Sequence, residues 1–338
     1  MRVFASVKLV NKMKKWYLAM TIGVIFGLGM AIGVSLHVIA GIGVDQKQPA
    51  ASVSIDPEYP FLDPMRAIQP REDFVVVFRP LRLKLEALAQ KWSERGVIVA
   101  IQMEYLNSGS YVSINQNYRM LPASLTKVPV AMMIMRRIEE GTLSFDQIIE
   151  IKAEDRDSKW GEMYKLPVGT EFSLKKTIEK SLIESDNTAH KMLYRLVGVE
   201  DAQGLSEELN LEDLFDAKGM ISAREYARLL RSLYTSSYLS PEHSQYVLEL
   251  LTQDQVVKLS IRGLGEGVKF AHKFGESAAL YSYLDAGIVY VPNRPYVLVV
   301  MVHDEKGEVR LSREQAGDEI FEEVARLTYK YVSQGTVE

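Results

Sequence analysis

Ser124-Leu125-Thr126-Lys127 sets a hydroxyl and an amine three residues apart, just after Pro122 and ahead of the apolar run 128–135. These signals place the pair at the start of a helix. Residues i and i+3 share a helix face, so the two side chains project together. A serine hydroxyl becomes a useful nucleophile when a base takes its proton. A lysine held beside it and partly desolvated can be that base, because burial lowers an amine's pKa. The helix start adds unpaired backbone N–H groups aimed at whatever binds there. The spacing alone is a weak signal, since Ser173-Leu174-Lys175-Lys176 repeats it. There the serine directly precedes the helical stretch 174–181, and its expected task is to cap that helix. Two further groups follow: Ser185-Asp186-Asn187, leading into the helix-like 188–193, and Lys273-Phe274-Gly275, ending a strand that begins at Val268. Each taken alone reads equally well as a turn or a cap.

The elements that must position these groups read as one α/β domain of the α+β type over 74–338. Leu81, Leu85, Leu88 and Trp92 recur at helical spacing and open it. Stretches 97–105 and 111–114 read as strands around the turn Asn107-Ser108-Gly109. A mainly helical middle runs from 124 to 252. Strand-like runs 268–274, 284–291 and 296–303 come next, the last two separated by Pro292-Asn293-Arg294-Pro295, and a helix over 313–332 closes the chain. Strands at both ends with helices between predict one antiparallel sheet completed by distant segments. N- and C-terminal helices flank it, with a helical lobe inserted.

Arg2, Lys8, Lys12, Lys14 and Lys15 precede a run, 16–44, with no Asp, Glu, Lys or Arg; Asp45 is the first charge after it. The run exceeds the roughly 20 residues of a spanning helix and the roughly 7–15 of a signal-peptide core. The expectation is a cytoplasmic basic tail over 1–15, a transmembrane helix over 16–44 and everything later outside the membrane. The alternative is a long, cleaved signal peptide. Prolines 49, 57, 60, 64 and 70 punctuate 45–73, which shows no helical or strand period and reads as an extracytoplasmic linker. A net charge of -4 gives no reason to expect nucleic acid as a partner. The chain has no cysteine, which excludes disulfides and thiolate catalysis. Its five histidines show no metal-binding spacing, so neither metal nor cofactor is expected.

Taken in order, Ser-x-x-Lys, Ser-Asp-Asn and Lys-Phe-Gly resemble the signature of class A β-lactamases and penicillin-binding proteins, whose third motif is Lys-Thr-Gly. The resemblance runs from about Leu81 to the end. It implies the β-lactamase/transpeptidase-like fold and an acyl-enzyme on Ser124, formed from a cell-wall peptide or a β-lactam-like amide. It further implies that Lys127 is the base or hydrogen-bond partner of Ser124, and Ser185 the relay to the leaving nitrogen. Asn187 would bind the substrate amide, and Lys273 would supply positive charge near the substrate carboxylate. Gly275 and Glu276 would line the site, the Glu276 N–H joining that of Ser124 in an oxyanion hole. Asp186 would be structural, and 160–164 would edge the cleft.

Two departures stand out. Phe274 replaces the hydroxyl that helps hold a carboxylate in the family, and it can form no hydrogen bond with its side chain. The glutamate that activates the deacylating water in class A β-lactamases has no clear equivalent. Ser206-Glu207-Glu208-Leu209-Asn210 resembles its loop but carries Ser206 in that place. Glu212, Asp213 and Asp216 lie in the short connection that follows. His272 should point away from Lys273 by strand alternation, and His190 should pack or cap. The resulting expectation is a single-pass serine hydrolase or transferase of a bacterial inner membrane, with slow β-lactam turnover. A β-lactamase proper and a non-catalytic binding module for cell-wall peptide are the alternatives.

Overall fold

The computed structural model describes residues 60–62, 78–211, 219–254 and 260–334. The expected tail and anchor lie outside the described residues, as do Glu212, Asp213, Asp216 and the linker apart from 60–62.

Helix α1 (Arg79–Ser93) starts with Pro80 in its first turn and buries Leu81, Leu85, Ala89 and Trp92 along one face, the stripe that helical spacing predicts. Strands β1 (Val97–Tyr105) and β2 (Ser110–Ile114) form a hairpin, and β3 (Arg119–Met120) leads to the 3₁₀ turn Ala123–Thr126 and to α2 (Lys127–Glu139). The helical lobe continues with β4 (Ile148–Glu150), β5 (Glu171–Ser173), α3 (Leu174–Ile183), α4 (Asn187–Tyr194), α5 (Val199–Glu208), β6 (Ile221–Ser222), α6 (Ala223–Tyr234) and α7 (Pro241–Leu251). Three strands return to the sheet: β7 (Lys269–Ser277), β8 (Ser282–Tyr290) and β9 (Tyr296–Asp304). The chain closes on α8 (Arg313–Ala316), a π-helical turn (Gly317–Phe321) and α9 (Glu322–Gln334).

The main sheet runs β2-β1-β9-β8-β7, antiparallel throughout, so distant segments complete it as the pattern of elements predicts. Its nine-residue central strands are buried on both faces. On the lobe face Ala271, Leu284, Ala286, Val297, Val299 and Met301 join α2, α6 and α7 in one core. On the opposite face Phe270, Phe274, Tyr283, Leu298 and Val300 pack with Leu81, Trp92, Phe321 and Val324 in a second. Strand alternation divides β7 the same way and puts His272 away from Lys273, as expected. His272 is buried, stacks on Phe270 and meets Asp285 at 2.8 Å.

Three boundaries differ from the sequence reading. β7 runs to Ser277 and β8 starts at Ser282, because their pairing with each other, and that of β8 with β9, extends both strands beyond their apolar stretches. The closing helix is interrupted by the π turn. Within the stretch read as a linker, Phe61 and Leu62 are buried in the lobe-side core. Phe61 takes Gln245 Oε1 on its N–H and the Tyr290 hydroxyl on its carbonyl.

Candidate active site

The nucleophile candidate sits in a tight backbone turn. Ala123, just before Ser124, has φ 48°, a left-handed conformation that costs a non-glycine residue roughly 1–3 kcal/mol. Ser185 has φ 55°. Both serines are therefore aimed by backbone that their neighbours must hold in place. Gly275 supplies part of that hold. A Cβ there would lie 2.8 Å from the Pro122 carbonyl oxygen and 3.2 Å from the Ser124 nitrogen, so only glycine lets β7 approach the turn this closely. That contact sets the backbone of Gly275-Glu276 beside the Ser124 N–H.

Lys127 is 1 % exposed and gives Nζ–H bonds to Ser124 Oγ at 2.7 Å and to Asn187 Oδ1 at 2.8 Å. Its pKa falls from the ordinary 10.5 to about 7. Burial is the main cause and the nearby Lys273 the next, with Asp186, Asp254 and Asp157 opposing. Both hydrogen-bond partners are neutral, so a deprotonated amine is available near neutral pH while still oriented on the hydroxyl.

The Ser-Asp-Asn turn is fastened by Asp186, which is fully buried. Its Oδ1 caps α4 through the Ala189 N–H at 3.0 Å, and its Oδ2 accepts from Glu162 N at 2.7 Å and Met163 N at 2.9 Å. Asn187 N–H bonds the Trp160 carbonyl at 3.1 Å. Gly161 runs so close to Asp186 that a Cβ would lie 2.1 Å from the carboxylate. The structural role expected for Asp186 holds, and of the stretch 160–164 expected at the cleft edge, Trp160 lines the cleft while Met163 is buried in the lobe-side core. Asn187 Nδ2 also reaches Asp157 at 3.4 Å, and Asp157 pairs with Lys191 at 3.2 Å. Ser173 caps α3 by accepting from Lys176 N at 3.2 Å, as its sequence context predicts, and takes no part in this site.

Ser124, Ser185, Asn187, Phe274 and Glu276 line one cleft of about 500 Å³, together with Lys159, Trp160, Ser277, Ala278, Ala279 and Arg313. Lys273 stands behind its wall, fully buried and ion-paired at 2.8 Å with the equally buried Asp254. Burial lowers the Lys273 pKa and Asp254 opposes that shift. Sequence reasoning missed Asp254, which lies three residues beyond α7 and carries no periodic signal. It also missed Arg313, whose guanidinium bonds Glu276 Oε2 with Nε at 2.7 Å. Phe274 borders the cleft, but its ring is only 3 % exposed and belongs to the core under the sheet. His190 Nε2 lies 3.3 Å from Thr126 Oγ1. Burial, aided by the charge of Lys127, drives its pKa down to about 3, so the ring packs in neutral form.

A model described as the β-lactamase enzyme family matches residues 80–332. The chain is 22 % identical over 275 residues to the β-lactamase VEB-1 of Pseudomonas aeruginosa, covering 74 % of this chain and 90 % of that protein. A PBP-A variant solved as an acyl-enzyme complex with penicillin G superposes with TM-score 0.65 at 23 % identity, over 74 % of this chain and 95 % of that one. A β-lactamase from Chitinophaga pinensis gives TM-score 0.63 at 25 % identity, over 74 % and 98 %.

Proposed function

The chain belongs to the β-lactamase enzyme family of serine hydrolases, and on that premise we propose that it is a membrane-anchored acyl-enzyme hydrolase or transferase. Its substrate is cell-wall peptide or a β-lactam-like amide, met outside a bacterial inner membrane. The observation that carries the chemistry is the Lys127 amine, 2.7 Å from Ser124 Oγ with its pKa near 7. Ser124 Oγ adds to the carbonyl carbon while its proton passes to Lys127 Nζ. The backbone N–H groups of Ser124 and Glu276 receive the developing oxyanion, where one donor is worth about 10²–10³ in rate. The C–N bond then breaks, and the proton moves by way of Ser185 Oγ to the leaving nitrogen. Water or an amine releases the acyl group and restores the Ser124 hydroxyl. The penicillin G adduct of the PBP-A variant supports the covalent step.

Release is the slow half of this cycle. Among the described residues that line the cleft, Glu276 is the one carboxylate, and Arg313 holds it. The anchored location rests on the basic flank and the uncharged run 16–44. The decisive experiment is intact mass spectrometry after mixing with penicillin G and, separately, with a fluorophosphonate. A long-lived adduct that Ser124→Ala abolishes supports the proposal, whereas rapid multiple turnover of penicillin G favours a β-lactamase proper. Absence of any adduct from either reagent favours the binding module. Protease added to intact spheroplasts should digest the domain, and full protection would reject the outward topology.

A further inference from the structure

The two cations that β7 and α8 bring to the leaving-group end of the cleft are each matched by a carboxylate of the chain itself. Lys273 is sealed with Asp254, both fully buried, behind the cleft wall. Arg313 and Glu276 line the cleft and bond each other, with side chains 36 % and 20 % exposed. Between them Phe274 presents an apolar edge where a hydroxyl donor would be needed to seat an anion. Lys159 is the remaining cation among the described lining residues. It is exposed and lies on the loop that carries Trp160.

A substrate carboxylate entering here would lose water, would meet an Arg313 guanidinium already engaged by Glu276, and would face the Glu276 carboxylate as a like charge. A neutral group suffers neither penalty. The cleft is also bordered by the small residues Ser277, Ala278 and Ala279. β7 is the edge strand of the sheet, a position along which an extended chain can lie.

We propose that the Glu276–Arg313 pair and Phe274 select acyl donors whose leaving group carries no free carboxylate beside the scissile bond: an amide-capped group or a peptide chain that continues. This rests on the acyl-transfer reading above and names its substrate class.

The test uses two acyl-D-alanyl thioesters of equal size, one with 2-mercaptoacetamide and one with 2-mercaptoacetate as leaving thiol. Ser124 Oγ bonds to the carbonyl carbon, the C–S bond breaks, and water later frees the acid. The released thiol is read with a chromogenic disulfide, and the protein, which lacks cysteine, contributes no background. The unmodified protein should show kcat/KM about tenfold or more higher for the carboxamide, the scale of one charge-assisted hydrogen bond lost and one repulsion met. Glu276→Gln should shrink or invert that ratio by freeing Arg313. Equal or better use of the carboxylate donor by the unmodified protein overturns the inference, and this arm needs no variant to fold. Fluorophosphonate labelling of Ser124 separates the two failures. A labelled serine with a carboxylate preference sinks the specificity alone, while no labelling and no thiol release sinks the acyl-transfer reading as well.

Discussion

The cleft has two ends built on opposite electrostatic plans. At the acylating end, Lys127 is held by two neutral acceptors, Ser124 Oγ and Asn187 Oδ1, and burial brings its pKa to about 7. At the leaving-group end, Lys273 and Arg313 are each ion-paired, to Asp254 and Glu276. A lysine with neutral partners keeps its proton negotiable. A lysine paired with a buried carboxylate becomes a fixed part of the scaffold, because separating the pair would strand a charge away from water. The same residue type thus serves as reagent at one end and as framework at the other, and what differs is the company each amine keeps.

The largest way to break this comparison is to remove the reagent. Lys127→Ala should slow acylation by about 10²–10⁴-fold, the usual contribution of a positioned base, in a stopped-flow assay of adduct formation. In the unmodified protein kcat/KM should rise with pH and level off above about 7, as the neutral amine becomes the majority form. A flat profile between pH 5 and 9 would mean that another group takes the proton.

Breaking the framework should act on stability first. Asp254→Asn leaves Lys273 buried without its carboxylate and should cost about 3–5 kcal/mol in urea unfolding. Lys127 should behave in the opposite sense. Its folded pKa lies below the ordinary 10.5, so the unfolded chain binds more protons between about 7 and 10.5, and stability rises with pH across that window. The penalty is full below pH 7. Lys127→Met should therefore raise the urea midpoint at pH 6 and raise it less at pH 9, and an equal gain at both would disprove the coupling. The smallest effect belongs to the second Ser-x-x-Lys. Ser173→Ala should lower stability by about 1 kcal/mol, the typical worth of a helix cap, and leave the rate of adduct formation unchanged.

The acylating end was legible in the sequence because its logic is local. Ser124 and Lys127 are one helical turn apart, Asp186 caps the helix it precedes, and the order of the three motifs places them on a known plan. The strands were legible for the same kind of reason, as apolar runs between turn residues. The leaving-group end was not. Asp254 meets Lys273, and Arg313 meets Glu276, across 19 and 37 residues of chain, and neither pair carries a periodic signal. Phe274 could be seen to lack a hydroxyl, but that its ring joins the core beneath the sheet follows only from the packing of α1 and α9. Phe61 and Leu62 were hidden among prolines, since a docked pair of apolar residues is too short to show a period.

Asp186 has a consequence for motion. One carboxylate receives the amides of Glu162, Met163 and Ala189, and the amide of Asn187 is tied to Trp160 across the same junction. These four protons belong to two stretches more than twenty residues apart, yet none can be released without loosening a shared anchor. In hydrogen–deuterium exchange they should open as one cooperative unit with a common free energy, so that the rim of the cleft and the turn carrying Ser185 breathe together or not at all.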